Sequence, residues 1–161
     1  MKVEQLAAQV IDQAKASDTS IVTAESCTAG AVAEALSKAP GAGKYLQGGI
    51  VSYTKEMKNA VLGVPMELLE QRGAVCEEVA EAMALGALEL AAADIAISVT
   101  GVAGPEPDED GNPVGLVFIS AARLTGKAVT TRYLFEGLDR EATIEAAVTE
   151  ALTLLKHVCQ H

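Results

Sequence analysis

The sequence predicts an α/β protein: a three-layer α/β/α sandwich around a mixed five-stranded sheet, with the fourth strand antiparallel. Three observations predict it. Stretches of strand character alternate with helical stretches along most of the chain. The pair Thr125-Gly126 sits between two strand-like runs and reads as a hairpin turn, which reverses one strand against its neighbours. Ile21 to Ala24 run into Glu25-Ser26-Cys27-Thr28, and Ala29 to Leu36 read as helix at once behind them. That last stretch is a βα turn, and the chain is organised around it.

Leu6, Val10, Ile11 and Ala14 recur at helical spacing, which predicts an amphipathic helix over 2–16. Asp18-Thr19 breaks it, and the first strand follows over about 20–24. The helix over 28–38 ends at Pro40-Gly41. Gln47 to Tyr53 give the second strand, Lys55 to Leu62 a helix closed by Gly63, and Pro65 opens a short helix closed by Gly73. A long helix over 76–92 carries Val79, Met83, Gly86 and Leu90 along one face. Residues 94–100 form a buried strand leading into an acidic, Gly/Pro-rich loop over 101–113. The hairpin strands lie at about 114–123 and 127–136. A final helix over 139–157 is striped by Ile144, Val148, Ala151, Leu152 and Leu155.

A chain of 161 residues fits one domain, taken as 1–161, large enough to bury about two thirds of its unfolded surface. With no Trp, the core falls to Ala, Val, Leu and Ile. No apolar run approaches the roughly 20 residues that span a bilayer. The amphipathic, acid-bearing start is not patterned as a signal peptide. Cys27, Cys76 and Cys159 show no CxxC spacing, which argues against zinc and fits a reducing cytoplasm. A net charge of −10 disfavours nucleic acid. An anionic ligand would have to be held by a few local cations and by backbone N–H groups.

Open α/β sheets bind ligands at the carboxyl ends of their parallel strands. Strand one ends at Glu25-Ser26, strand two at Tyr53 with Lys58 just beyond, and strand three at Thr100-Gly101. With the usual crossover hand the fifth strand runs the same way and ends beside Arg140. Ser26, Tyr53, Lys58, the 101–104 loop and Arg140 should therefore line one edge. The helix behind strand one should also present unpaired N–H groups there.

A serine at that edge reads as an N-cap or as a nucleophile. His157 and His161 lie in the C-terminal stretch, far in topology from Ser26, so a Ser-His-Asp triad is not expected. Lysine serves as the base when desolvation lowers its pKa. Lys58 is the candidate, with Tyr53 to position or relay a proton. Gly101 and Gly104 let backbone approach a ligand, as an oxyanion hole or a phosphate nest. Cys27 is the rival nucleophile, since a thiol at a helix N-terminus has a depressed pKa. Asp108-Glu109-Asp110-Gly111-Asn112 reads as a solvated turn, because it lacks the later ligands of a calcium loop.

Glu25-Ser26-Cys27-Thr28-Ala29-Gly30, Gly49-Ile50-Val51-Ser52-Tyr53 with Lys58, and Leu62-Gly63-Val64 resemble the CinA C-terminal domain family. So do Val99-Thr100-Gly101-Val102-Ala103-Gly104-Pro105, Pro113-Val114-Gly115 and Asp139-Arg140, in order along essentially the whole chain. The resemblance implies a three-layer sandwich and the hydrolysis of nicotinamide mononucleotide to nicotinic acid mononucleotide and ammonia. By the same resemblance Ser26 is the nucleophile, Lys58 its base and Tyr53 an assistant. Thr100 and Gly101 are ligand and oxyanion contacts, and Arg140 is a cation for the substrate. The full substrate-binding set expected is Cys27, Thr28, Gly30, Gly49, Thr100, Gly101, Gly104 and Arg140. The chain departs from the family pattern in three places. Ala29 stands where Gly is frequent, Ile144 stands where a second Arg is common, and the loop after Pro105 is acidic rather than Gly-rich.

The expected function is thus amide hydrolysis through an acyl-serine, with neither metal nor organic cofactor required. The expected partners are a pyridine nucleotide and further copies of the chain in a homo-oligomer, with no nucleic acid and no membrane, and the expected location is cytoplasmic. The alternatives are a catalytically silent nucleotide-binding module that regulates a partner, and a purely structural subunit. The trio Ser26, Tyr53 and Lys58 favours the enzyme, because binding alone would need only the glycines and Arg140.

Overall fold

The computed structural model describes residues 1–160. Its sheet has the order β2-β1-β3-β4-β5, built from β1 (Ile21–Glu25), β2 (Leu46–Val51), β3 (Ile95–Gly101), β4 (Leu116–Arg123) and β5 (Val129–Leu134). Strand β1 pairs in parallel with β2 and β3, while β4 is antiparallel to both β3 and β5. Four strands therefore deliver their carboxyl ends to one edge, as the sequence predicts, and β4 runs the other way.

Helices cover both faces. On one, α1 (Val3–Ser17), α2 (Ala31–Ser37), α3 (Ala42–Tyr45) and α7 (Arg140–Gln160) close over Ile21, Ile95, Ile97, Val117 and Ile119. Helices α1 and α7 lie side by side there. On the other, α4 (Lys55–Leu62), α5 (Met66–Arg72) and α6 (Glu77–Ala91) close over smaller residues, Val22, Ala24, Ala96 and Ala122. Alternate strand residues supply the two cores because successive side chains point to opposite faces. Within that layer Gly86 lets α6 lie close against α4: a Cβ there would meet the Leu62 carbonyl oxygen at 1.9 Å. No helix among the described residues is long and apolar enough to cross a membrane.

The structure departs from expectation in three elements. Helix α2 begins at Ala31, because a turn with Ala29 (φ 48°) and Gly30 (φ 98°) in left-handed conformation separates it from Ser26. One more turn of helix, α3, follows the Pro40-Gly41 break. Leu90 leaves the buried face of α6 and stands 58% exposed, since burial follows the pairs Val79/Ala80, Met83/Ala84 and Ala87/Leu88.

Candidate active site

A cleft of about 460 Å³ opens at the carboxyl ends of β1, β2 and β3. Ser26, Cys27, Tyr53, Lys58, Thr100, Gly101, Gly104 and Arg140 line it, and Thr28, Gly30 and Gly49 do not. Eight of the eleven expected site residues thus meet in one place.

Ser26 continues β1 for one residue, its N–H donating to the Val99 carbonyl at 2.9 Å. It is 7% exposed. Helix α4 faces it across the cleft. The Thr54 hydroxyl accepts from the Met57 N–H and starts that helix, and Gly63 in left-handed conformation ends it. This fixes Lys58 one turn in, pointing at β1. Lys58 is 1% exposed, and its Nζ donates to Ser26 Oγ at 2.8 Å and to the Ser52 carbonyl at 2.8 Å. It forms no ion pair among the described residues. Burial without a counter-ion lowers its pKa from 10.5 to about 8. A lysine in that range is neutral in a sizeable fraction of molecules at mildly alkaline pH and can take a proton from a hydroxyl 2.8 Å away.

Tyr53 meets Lys58 through its main-chain carbonyl, at 3.5 Å. Its hydroxyl turns instead to Arg140, accepting from Nη2 at 2.9 Å, and the ring is 56% exposed. The other arm of the guanidinium donates to the Gly104 carbonyl at 2.7 Å. Arg140 therefore ties the end of β2 to the loop behind β3 and stands at the cleft mouth.

Burial sets the character of Cys27. It pushes the thiol up to about 12 despite the nearby Lys58, so the expected depression by the helix terminus does not occur. Thr100 donates its hydroxyl to the Ala74 carbonyl at 2.8 Å and so fixes a wall of the cleft. Gly101 is where β4 crosses closely: a Cβ there would stand 2.8 Å from the Leu116 oxygen. The acidic loop folds on Asp108, whose carboxylate accepts from the main-chain N–H groups of Asp110 and Asn112. Lys55 holds the same loop against α4 through Asp110 at 2.9 Å and Glu109 at 3.4 Å. Among the described residues no group of three or more His, Cys, Asp or Glu side chains is arranged to hold a metal ion.

Of the three expected residues outside the cleft, Gly30 caps α2, while Thr28 and Gly49 lie beside Glu25, which the sequence reading passed over. Its side chain is fully buried and accepts from Thr28 Oγ1 at 2.7 Å, the Val32 N–H at 2.9 Å, Thr23 Oγ1 at 3.0 Å and the Ala33 N–H at 3.0 Å. The first free N–H groups of α2, expected to face a ligand, are occupied by this carboxylate. Glu25 followed by a threonine three residues on, before a helix, was the available signal.

Fold and cleft together define an α/β domain with a buried serine–lysine pair at the strand carboxyl ends. The model of the CinA C-terminal domain matches residues 3–159, and the chain belongs to that family. It is 41% identical over 151 residues to the nicotinamide-nucleotide amidohydrolase PncC of Escherichia coli, covering 94% of this chain and 91% of the relative. It is 43% identical over 159 residues to a competence-damage inducible protein of Desulforamulus reducens, covering 99% of this chain but 37% of that longer relative. In structure it is similar to the competence damage-inducible protein A of Klebsiella pneumoniae, with a TM-score of 0.95 at 38% identity, covering 100% of this chain and 99% of the other.

Proposed function

We propose that this chain hydrolyses the carboxamide of a nicotinamide nucleotide, releasing ammonia, through an acyl intermediate on Ser26. The observation that carries the reading is the 2.8 Å contact between Ser26 Oγ and a buried lysine without a counter-ion. A module that only bound the nucleotide would have no use for so costly a cation. The similarity to a protein named nicotinamide-nucleotide amidohydrolase supports the choice of substrate.

In this reading neutral Lys58 accepts the hydroxyl proton as Ser26 Oγ attacks the amide carbon. The negative charge that develops on the carbonyl oxygen needs donors already in place. The main-chain N–H of Cys27, which lines the cleft, suits this, since it donates to no main-chain carbonyl among the described residues. Collapse of the adduct breaks the C–N bond, and Lys58 gives its proton to the departing ammonia. A water then attacks the acyl carbon with Lys58 as base, the bond to Ser26 Oγ breaks to release the carboxylic acid, and Lys58 returns the proton to Oγ. Arg140 at the mouth is the cation for the phosphate, and it can exchange its present carbonyl and phenol partners for a charged one.

Ammonia release from nicotinamide mononucleotide tests this. Ser26→Ala and Lys58→Ala should each lose several orders of magnitude in kcat, and the double variant should be scarcely worse than either, because residues acting as a unit are not additive. A Ser26→Ala enzyme with wild-type turnover would end the proposal.

A further inference from the structure

Consecutive residues of a strand face opposite layers of the sheet, and β1 uses this at its end. Ser26 faces Lys58 on α4, while Glu25 points into the other layer, beneath α2. Each carboxylate oxygen of Glu25 accepts twice: Oε1 from Thr28 Oγ1 and the Val32 N–H, Oε2 from Thr23 Oγ1 and the Ala33 N–H. Both donor pairs join a residue at or near the end of β1 to the first turn of α2. The carboxylate thereby closes the turn that carries Ser26, Cys27 and Thr28.

We propose that Glu25 is a positioning residue, whose four accepted hydrogen bonds hold Ser26 Oγ toward Lys58 and the Cys27 N–H toward the cleft. This rests on the reading of Ser26 as nucleophile. Thr28 and Gly49, expected to bind substrate, act through Glu25. Thr28 contributes the shortest of the four bonds, at 2.7 Å. Gly49 on β2 leaves the space the clamp fills: a Cβ there would stand 2.6 Å from Thr23 Oγ1 and 2.8 Å from the Ala33 Cβ. The turn needs such a hold, because Ala29 sits within it at φ 48°, a conformation that alanine adopts only under constraint.

A carboxylate is required and an amide will not serve. Four donors converge on two acceptor oxygens, and Gln would turn an NH₂ group toward one donor pair. Misplacing a reacting atom by about 1 Å costs roughly 100-fold in rate. Glu25 is not among the groups that set the Lys58 pKa, so its loss should leave that titration in place.

The experiment measures kcat, KM and pH dependence of ammonia release from nicotinamide mononucleotide for Glu25→Gln, Thr28→Val and Thr28→Ser, corrected for folded fraction. Ser26→Ala is run beside them. Glu25→Gln and Thr28→Val should lose roughly 10- to 100-fold in kcat, with KM within about twofold and the limb near pH 8 unmoved. Thr28→Ser keeps the hydroxyl and should restore most of the rate. If Glu25→Gln fails to fold, the Thr28 pair decides. Melting temperatures that fall while kcat per folded enzyme stays at the wild-type value would overturn the positioning role and leave only a helix cap. An active Ser26→Ala control would overturn the nucleophile assignment instead.

Discussion

At the scale of single residues, Lys58 combines a high energetic cost with a clear chemical use. Its folded pKa of about 8 lies below the 10.5 of an ordinary lysine. Below pH 8 both folded and unfolded chains hold the proton, and the cost of burying the charge is fully present. Between about 8 and 10.5 the unfolded chain holds more protons, so stability rises with pH across that window. The full difference is of the order of 3 kcal/mol. Urea unfolding of the wild type and of Lys58→Met should show the gap between them shifting in favour of the wild type by up to about that much from pH 7.5 to 10.5. The same group as catalytic base should make kcat/KM fall about tenfold per pH unit below pH 8. A flat profile there would remove Lys58 from the proton transfers. The lysine was legible in the sequence because topology brings it to the strand ends. Its lack of a counter-ion was not, because that depends on which acidic side chains turn away. The role of Glu25 was hidden too: an acid closing a strand gives no sign of which layer it enters.

At the scale of elements, local signals located most helices and strands, while the turn before α2 needed the structure. Helix α4 matches its expected span because Thr54 and Gly63 mark both ends in the sequence. The short α3 follows a Pro40-Gly41 stop, where no period of four residues can announce a helix. In the turn, Ala29 holds φ 48°, a left-handed conformation that suits glycine better than alanine. Left-handed backbone costs a residue with a Cβ about 1–2 kcal/mol, against somewhat under 1 kcal/mol of added unfolded-state entropy for glycine. Ala29→Gly should therefore raise the unfolding free energy, by about 0.5–1 kcal/mol. The side chain is exposed, so no lost packing offsets the gain. Denaturant midpoints at constant m-value would show it. A lower midpoint would mean the alanine conformation is less strained than its φ indicates.

At the scale of the whole molecule, composition and topology decided more than any motif. Alternating strands and helices with one hairpin were enough for a mixed five-stranded sheet with its fourth strand reversed, because handedness and the hairpin leave few arrangements, while the order of the strands needed the structure. Charge gives a prediction of its own. The chain carries a net charge of −10, and Glu106, Asp108, Glu109 and Asp110 line the cleft. Lys55 is held by two of these acids, which leaves Arg140 as the accessible cation at the mouth. Screening shortens the Debye length from about 30 Å at 0.01 M salt to about 8 Å at 0.15 M. For a phosphate-bearing nucleotide kcat/KM should accordingly rise over that range, as long-range repulsion fades faster than the contact with Arg140. A fall would mean attraction at the mouth outweighs the field of the whole. The pairing of α1 with α7 has a practical bearing on such assays. Helix α1 runs down into β1, so Val3 stands at the upper edge near Glu141, whereas α7 descends about 30 Å from Arg140 to Gln160. Tethering the protein to a surface through the C-terminal end presents the mouth to solution, and a bulky tag at the N-terminal end would crowd it.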